Sequence, residues 1–403
     1  LMIKSWMSLG AVRTDHLSFF SADTWERGAE GYAAWQADPV SSNVVSTIGE
    51  PDAIARYGQF VRTRFRPAAE LLRGIDNVRA KVALVWLEET DRAGNWQWSR
   101  YHYRNQVGDA LARQPWAFDY LTDNEMKREI LSGYDYLVLP MLNVITDEHD
   151  ALLRSLPETV RFVTDSHAKV DYPSATKLEF NTAGVDVPLG GFFADKTEIL
   201  RRSQAGWSDE DGTNAYTFVK ALKGVTYVTV VNNARRDGGS PMNAFKTDAW
   251  YRPCGASRRI VTHFNAPGVI YEFNAPKVVG PRKGGTVALD YAAAEGRVFC
   301  VYPRPLTGLA LNVRGKPKRG SAAEIGVRVT DARGAAPGRQ VVRLSLTDPT
   351  GRQTDESGLY AVEGGECRIP VRFAQDDPAD GVWRAKAVEL TTGLEKSLEF
   401  RVE

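Results

Sequence analysis

The chain has 403 residues, a formal net charge of +1, and 43% hydrophobic and 25% charged residues. This length exceeds what one ordinary hydrophobic core can absorb, so we expect a folded protein of three or four domains. The near-neutral charge gives no electrostatic support for binding nucleic acid or an anionic membrane, and no apolar run approaches the roughly 20 residues of a membrane span.

Residues 1–76 predict pieces of an α/β domain that begins in mid-fold. The opening LMIKSWM does not show a charged start, an apolar stretch and a cleavage site in succession. It therefore predicts a buried strand rather than a signal peptide, and suggests a fragment or a processed chain. A short strand of small and aromatic residues then ends at Trp35. A later helix begins at Pro51, where a missing N–H costs nothing; Pro67 should kink or break it, with 68–72 as a short second piece.

Residues 77–205 predict a doubly wound domain. Strands that are nearly all apolar alternate with helices, a pattern typical of a parallel sheet covered on both faces. Thr146 is expected to cap the third of these helices. The predicted strands are 81–87, 117–121, 134–140 and 159–164, and the predicted helices are 101–113, 125–132 and 147–156.

Two β-rich units follow. Residues 206–308 predict an antiparallel sandwich, with strands at 225–232, 259–264, 268–273, 286–289 and 297–302. Residues 309–403 predict an immunoglobulin-like sandwich in which Trp383 fills the core, because about seven short strands are separated by turns at 331–334 and 348–351. Those strands are predicted at 309–313, 324–330, 340–346, 358–362, 367–373, 381–389 and 398–402.

The cysteines and the first strand of the doubly wound domain argue against a metal or a cofactor. Cys254, Cys300 and Cys367 have neither CxxC nor Cys/His spacing, so no metal site is expected and buried free thiols are favoured over a disulfide. No Gly-rich phosphate loop follows this first strand, so no nucleotide or other cofactor is expected. Three tryptophans surround the loop after this strand, namely Trp86, Trp96 and Trp98. We interpret them as residues that pack in the core or at an interface.

Two chemistries found on doubly wound sheets are also disfavoured. The domain resembles class I glutamine amidotransferases in fold, but that activity needs a cysteine nucleophile after the third main strand, and no cysteine occurs before residue 254. Asp165, Ser166 and His167 at a strand end suggest a serine hydrolase. Adjacent side chains diverge, however, and no Gly-x-Ser-x-Gly elbow is present.

Four segments carry a family resemblance: GAEGYAAWQ at 28–36, YGQFVRTRFRPAAELL at 57–72, KVALVW at 81–86 and GYDYLVLP at 133–140. In this order they resemble the rear half of glycoside hydrolase family 42 β-galactosidases and their relatives. In that family a catalytic (β/α)8 barrel leads into a flavodoxin-like trimerisation domain, and a β domain follows.

This resemblance covers roughly residues 1–170, and it implies a multidomain protein of α/β and all-β parts that acts on carbohydrate. Residues 1–76 would be the C-terminal remnant of the barrel and 77–205 a flavodoxin-like domain, with a homotrimer implied by analogy. The terminal unit, 309–403, resembles the immunoglobulin-like or macroglobulin-type modules of large secreted bacterial proteins, which favours a periplasmic or extracellular location.

The resemblance does not place catalytic residues in this chain. The family uses one glutamate on the fourth barrel strand and another at the end of the seventh. If 1–7 is the seventh strand, the nucleophile position falls near 5–9, where no carboxylate stands. Because retaining hydrolysis needs two carboxyl groups about 5 Å apart, we expect these 403 residues to be inactive alone.

Four residues near the predicted barrel mouth are candidate sugar contacts. Trp35 would offer an indole face to a pyranose ring, with barrel packing as its alternative role. Asp38 would hydrogen-bond sugar hydroxyls, although an aspartate before a proline is also common in turns. Asp15 and His16, in the loop after the first strand, would line the pocket or belong to a solvated loop.

Two hypotheses of different class therefore remain. In the first, the chain is the C-terminal part of a carbohydrate-active protein whose full-length parent hydrolyses glycosidic bonds. In the second, it is a non-catalytic surface or glycan-binding scaffold with a degenerate barrel. The order of the four segments favours the first, which we adopt, and the missing carboxylate near 5–9 and the two β units, which make up half the chain, motivate the second as the alternative.

Overall fold

The computed structural model describes most of the chain after residue 60. The described residues are 59, 61–93, 107–108, 110–111, 114–166, 168–172, 175–179, 186–203, 205–209, 215–232, 257–275, 277–280, 285–291, 295–377 and 381–403. Of the predicted barrel remnant at 1–76, the structure describes residue 59 and residues 61–76, which hold the last helix of the remnant and the link after it. The rest of the remnant lies outside the described residues.

A helix precedes the first sheet and changes type at Pro67. A π-helical turn, Val61–Phe65, runs directly into α1, Arg66–Leu72. Pro67 has no N–H with which to complete the α-helical bond to the Thr63 carbonyl, and the Asn274 side-chain amide donates to that carbonyl instead, at 2.6 Å. The helix changes type here and continues through Pro67 to Leu72, so the predicted break does not occur, and a kink stays a prediction.

The first sheet is five-stranded, and all its pairs are parallel. Its strand order is β2-β1-β3-β4-β5, one of the two common orders of doubly wound sheets. The strands are β1 Val82–Val85, β2 Asp119–Leu121, β3 Tyr136–Leu139, β4 Arg161–Asp165 and β5 Ala175–Leu178. The sequence prediction found the first four and missed β5, whose residues alternate too little in polarity to stand out.

Helices cover both faces of this sheet, as the apolar strands predict. On β1, Val82 and Leu84 enter one core and Ala83 and Val85 the other. The helices are α2 Glu88–Ala93, α3 Arg128–Leu131, α4 Asp147–Arg154, α5 Asp186–Ala194 and α6 Thr197–Arg202, with a 3-10 turn at Asp123–Glu125. The core around Val82 receives α5, α6 and the helical residues near Leu111, and the core around Ala83 receives α3 and α4.

The middle β unit consists of two antiparallel sheets that share a core. Its strands are β6 Ala205–Asp209, β7 Ala215–Leu222, β8 Val225–Asn232, β9 Arg258–Phe264, β10 Val269–Glu272, β11 Lys277–Gly280, β12 Gly285–Tyr291 and β13 Gly296–Tyr302. The sheet orders are β11-β10-β13-β8-β7 and β12-β9-β6. Five of these strands match the predicted segments. The sequence prediction missed β6, β7 and β11.

The terminal unit contains the seven antiparallel strands predicted, but they form one nearly closed sheet. The strands are β14 Leu306–Arg314, β15 Ala322–Asp331, β16 Arg339–Thr347, β17 Gly358–Glu363, β18 Glu366–Arg372, β19 Trp383–Glu389 and β20 Glu395–Phe400. Their order is β14-β15-β18-β17-β16-β19-β20, and the two end strands contact each other. A sandwich would have two separate sheets, but here one residue pair, Glu363 with Glu366 at the tip of the β17–β18 hairpin, joins them into one. Gly364 and Gly365 there have φ of 71° and 90°, as a tight hairpin turn requires.

One continuous core joins α1, the middle unit and the terminal unit. Leu71 and Leu72 of α1, Tyr227 of β8 and Trp383 of β19 are all members of it. Trp383 is 2% exposed and packs edge-on against Phe373, with ring centroids 5.2 Å apart, so its predicted role as a core residue is confirmed. Among the described residues, no helix has the length and apolar character that a bilayer crossing needs.

Candidate functional site

The predicted sugar-contacting residues lie outside the described part of the chain. Trp35, Asp38, Asp15 and His16 all precede residue 59, so their roles stay predictions. Among the described residues, a candidate site lies where strands of the parallel sheet end.

Three ionisable side chains meet at the carboxyl edge of the parallel sheet. Glu89 belongs to α2, which follows β1; Asp123 opens the 3-10 turn after β2; His149 belongs to α4, which follows β3. One ligand-type atom of each lies within 4.8 Å of the corresponding atoms of the other two. The strands β2, β1 and β3 are neighbours in the sheet, and ligands of open α/β sheets bind outside the carboxyl ends of such strands. We call these three residues the carboxylate–histidine cluster.

Local capping interactions hold Asp123. Thr122 and Glu125 form a capping box, in which the Thr122 N–H and hydroxyl both donate to Glu125 Oε2 at 2.9 and 2.8 Å. The Glu125 N–H donates back to the Thr122 carbonyl at 2.9 Å, and together these bonds fix the 3-10 turn. The Asp123 carboxylate in turn accepts the N–H of Glu88 at 2.9 Å, at the start of α2. The turn after β2 and the helix after β1 are thereby tied together.

A second set of bonds positions His149 and Glu89. Thr146 is the N-cap of α4, as predicted, and its hydroxyl accepts the N–H of His149 at 3.3 Å. His149 Nδ1 lies 2.6 Å from Glu89 Oε1, and the Thr146 N–H donates to the same oxygen at 3.3 Å. The side chains of His149 and Glu89 are 17% and 14% exposed, so solvent reaches the cluster without surrounding it.

The two carboxyl groups of the cluster are shifted in opposite directions. Burial raises the pKa of Glu89, but the hydrogen bonds from His149 and neighbouring groups outweigh it, and the pKa lies below its ordinary value. Burial and the nearby Glu89 carboxylate raise the pKa of Asp123 above its ordinary value, although the Glu88 N–H opposes this. Titratable groups whose pKa values are pushed apart are typical of acid–base sites, and structural ion-pair networks produce the same separation.

Two other sequence candidates on this sheet, Trp86 and Asp165, have structural roles. Trp86 is 6% exposed and packs in the sheet's core, which confirms the packing interpretation; Trp96 and Trp98 lie outside the described residues. Asp165 is completely buried and accepts the N–H of Met141, whose φ is 52°. It therefore supports the turn after β3. His167, the third member of the disfavoured hydrolase set, also lies outside the described residues.

The cysteines give no site among the described residues. Cys300 and Cys367 are free thiols, and Cys254 lies outside the described ranges. Cys300 is fully buried, and burial raises the pKa of its thiol. A buried protonated thiol is inert, so the prediction of a buried free thiol is confirmed for Cys300.

The chain resembles known proteins only weakly. No protein-family model matches it, and no curated protein matches it either. Among solved structures, α-L-fucosidase isoenzyme 2 from Paenibacillus thiaminolyticus is 10% identical, with 66% of this chain and 53% of that chain covered and a TM-score of 0.40. The β-galactosidase from the psychrophilic Marinomonas ef1 is 13% identical, with 58% and 39% covered and a TM-score of 0.24.

A third structure resembles a smaller part of the chain. The PKD domain of an M14-like peptidase from Thermoplasmatales archaeon SCGC AB-540-F20 is 18% identical, with 24% of this chain and 95% of that domain covered and a TM-score of 0.18. The chain spans 53% of the fucosidase and 39% of the galactosidase. Similarities this low carry no argument about function, which must be argued from the residues themselves.

Proposed function

We propose that the chain is the C-terminal part of a carbohydrate-active protein resembling family 42 glycoside hydrolases, and that its described domains serve assembly and support. The observation that carries this proposal is the order of architectures along the chain. A fully parallel sheet in the order β2-β1-β3-β4-β5 follows helix α1, and two antiparallel units follow that sheet. The four-segment resemblance implies this order: a flavodoxin-like domain and then a β domain.

The described ends of β3 and β4 have the residues of neither an amidotransferase nor a serine hydrolase, which supports an assembly role for this sheet. The strand that would carry an amidotransferase nucleophile, β3, continues into Leu139, Pro140 and Met141 without a cysteine. Asp165 at the end of β4 is engaged by the Met141 N–H. We therefore assign this domain the trimerisation-type role of the family, a homotrimer being the expected assembly. Sedimentation equilibrium tests that assignment, and a strictly monomeric chain would contradict it.

The docking of α1 supports the view that the β units brace an upstream barrel. The Arg339 guanidinium of β16 donates to the carbonyls of Leu71 and Arg73, at the end of α1. The chain leaving the helix then pairs with β7, where the Val78 N–H donates to the Val219 carbonyl at 2.8 Å. A barrel whose exit helix is α1 would thus be held directly against both β units.

The enzymatic part of the proposal is tested on the longest natural form of the protein. We expect that form to release the aryl group from a panel of chromogenic glycosides that includes β-D-galactosides, and the 403-residue chain alone to release none. Trp35→Ala and Asp38→Asn should each raise KM at least about tenfold, as expected when a stacking face or a hydrogen bond to the substrate is lost. Trp383→Phe, in the terminal unit, is the matched control and should leave KM unchanged.

The second candidate function is a glycan-binding scaffold without turnover. The absence of a carboxylate in residues 5–9 favours it, because the nucleophile position of the resemblance falls there. A glycan array separates the two candidates: binding that Trp35→Ala weakens, with no hydrolysis of the bound glycan, would replace the first proposal by the second. Neither binding nor hydrolysis by the longest natural form would reject both.

A further inference from the structure

The donor atoms of the carboxylate–histidine cluster form a mixed set brought together by the fold. One imidazole nitrogen and two carboxylate oxygens, from Glu89, Asp123 and His149, lie within 4.8 Å of one another. They come from three different connections, after β1, β2 and β3, and are 26 to 60 residues apart in sequence. The capping box at Thr122 fixes the connection after β2, and the N-cap at Thr146 fixes the connection after β3. The connection after β1 is tied to the first of these by the Glu88 N–H, which donates to Asp123 at 2.9 Å.

From this geometry we infer that the cluster is a binding site for one divalent transition-metal cation, with Zn²⁺ as the best match. Histidine nitrogen and carboxylate oxygen are ordinary zinc ligands at about 2.0–2.2 Å. Three protein ligands leave a fourth tetrahedral position for water or a substrate oxygen, as in catalytic rather than structural zinc sites.

The distances in the cluster are close to what the cation requires. Two ligands at about 2.1 Å in tetrahedral geometry stand about 3.4 Å apart. His149 Nδ1 and Glu89 Oε1 are 2.6 Å apart, the spacing of a hydrogen bond. A cation that replaces the shared proton would need these two atoms to separate by less than about 1 Å, which side-chain rotation can supply. An Asp123 carboxylate oxygen lies within 4.8 Å of both atoms, on a turn that the capping box holds.

The chemistry of the donors sets the selectivity. Mg²⁺ demands near-octahedral oxygen ligation and Ca²⁺ takes six to eight oxygens, whereas an imidazole favours zinc and the neighbouring transition metals. The paired carboxylates of Glu89 and Asp123 suit a doubly charged cation, which would remove their mutual repulsion. The site goes beyond the carbohydrate function proposed above, because none of its ligands lies in residues 1–76.

Isothermal titration of the chelator-stripped 403-residue chain with ZnSO₄ tests the inference. We expect one Zn²⁺ per chain at micromolar or tighter affinity, unaffected by millimolar Mg²⁺. His149→Gln and Asp123→Asn should each weaken binding at least tenfold. The matched control is His263→Gln, a partly buried histidine of β9 paired with the Ser208 hydroxyl at 2.9 Å, and it should bind as the wild type does. No binding, or equal binding by His149→Gln, would overturn the inference.

A second measurement needs no variant and so is independent of whether a substitution disturbs folding. X-ray absorption at the zinc edge of the loaded wild-type chain should show a first shell of nitrogen and oxygen only, at about 2.0–2.2 Å. A sulfur ligand near about 2.3 Å would instead place the metal on a cysteine and would refute the cluster as its site.

Discussion

Tyr227 occupies the junction between the middle and terminal units, and its hydroxyl gives a sharp test of the continuous core. Tyr227 is 1% exposed. Its hydroxyl accepts the N–H of Arg339 at 2.6 Å and donates to the carbonyl of the same residue at 2.9 Å. The Tyr302 hydroxyl also reaches that carbonyl, at the longer distance of 3.3 Å. Tyr227 thus makes two short hydrogen bonds to the Arg339 backbone of β16, and Tyr302 makes one long hydrogen bond to it.

Removing each hydroxyl should cost stability in proportion to these bonds. A buried neutral hydrogen bond contributes about 1 kcal/mol net, so Tyr227→Phe should lower the free energy of unfolding by about 2 kcal/mol. Tyr302→Phe should lower it by less than about 1 kcal/mol, because its bond is long. Both substitutions keep the ring and its packing, so each serves as the volume-matched control of the other.

Urea denaturation of the 403-residue chain, followed by circular dichroism and tryptophan fluorescence, measures the difference. If the core that joins α1, β8 and β16 is continuous, the transition affected by Tyr227→Phe should include the terminal unit. Equal losses for the two variants, or a larger loss for Tyr302→Phe, would refute the assignment of Tyr227 as the main junction residue.

Three further predictions concern the same region. Gly338→Ala should lower the free energy of unfolding by about 3 kcal/mol or more in urea denaturation, because φ is +54° and a Cβ would lie 2.4 Å from the Tyr227 hydroxyl. Gly334→Ala, at φ +76° with no atom within 4 Å, should lower it by only about 1–2 kcal/mol. Asn274→Ala should lower the free energy of unfolding by about 2 kcal/mol, since it removes the hydrogen bond to the Thr63 carbonyl and places alanine at φ 59°. Asn274→Gly should lower it by about half as much, because glycine tolerates this φ. Equal losses for the two variants would show that the backbone is not strained. The Arg339 guanidinium holds the pKa of Glu363 below its ordinary value. The Arg339–Glu363 pair therefore stabilises the fold at pH values above the ordinary pKa, and this stabilisation is lost as the pH falls through the lowered pKa. Glu363→Gln should therefore have a shallower loss of stability than wild type between about pH 6 and pH 3, and identical pH profiles would contradict it.

The elements that the sequence predicted are those with a local physical cause. The four apolar strands β1 to β4 need burial on both faces, and only helices on each side of a parallel sheet provide it. The turns at 331–334 and 348–351 follow from their aspartates. Asp331 Oδ1 accepts the N–H groups of Arg333 and Ala335 at 2.8 and 3.0 Å, and Asp348 Oδ1 accepts that of Thr350 at 2.8 Å. Such side-chain bonds to the following backbone are what make aspartate a turn former.

Elements that depend on distant partners escaped the sequence. The edge strand β5 has a mostly exposed sequence, ATKL, and is a strand only because β4 presents an open edge to it. The closing of the terminal sheet likewise depends on contact between β14 and β20, which are separated by the whole unit. No local pattern encodes either fact, because each is a property of pairing rather than of propensity.

The carboxylate–histidine cluster also was not predicted, although part of its signal was present. Asp123 and Glu89 each come two residues after the end of a predicted strand. The rule that ligands bind at strand carboxyl ends could have paired them. His149 could not be added, because it lies ten residues beyond β3 and reaches the edge only through the capped start of α4. The strand order that places these three connections side by side was not determined by the sequence pattern.

Hydrolysis by the longest natural form of the protein is the most direct test of the proposed function. Incubated with chromogenic β-D-galactosides and related glycosides, that form should release the aryl group, and the 403-residue chain at equal concentration should not. Complete inactivity of the longest form across the panel would contradict the proposed glycoside hydrolysis, and turnover by the 403-residue chain alone would contradict its expected inactivity.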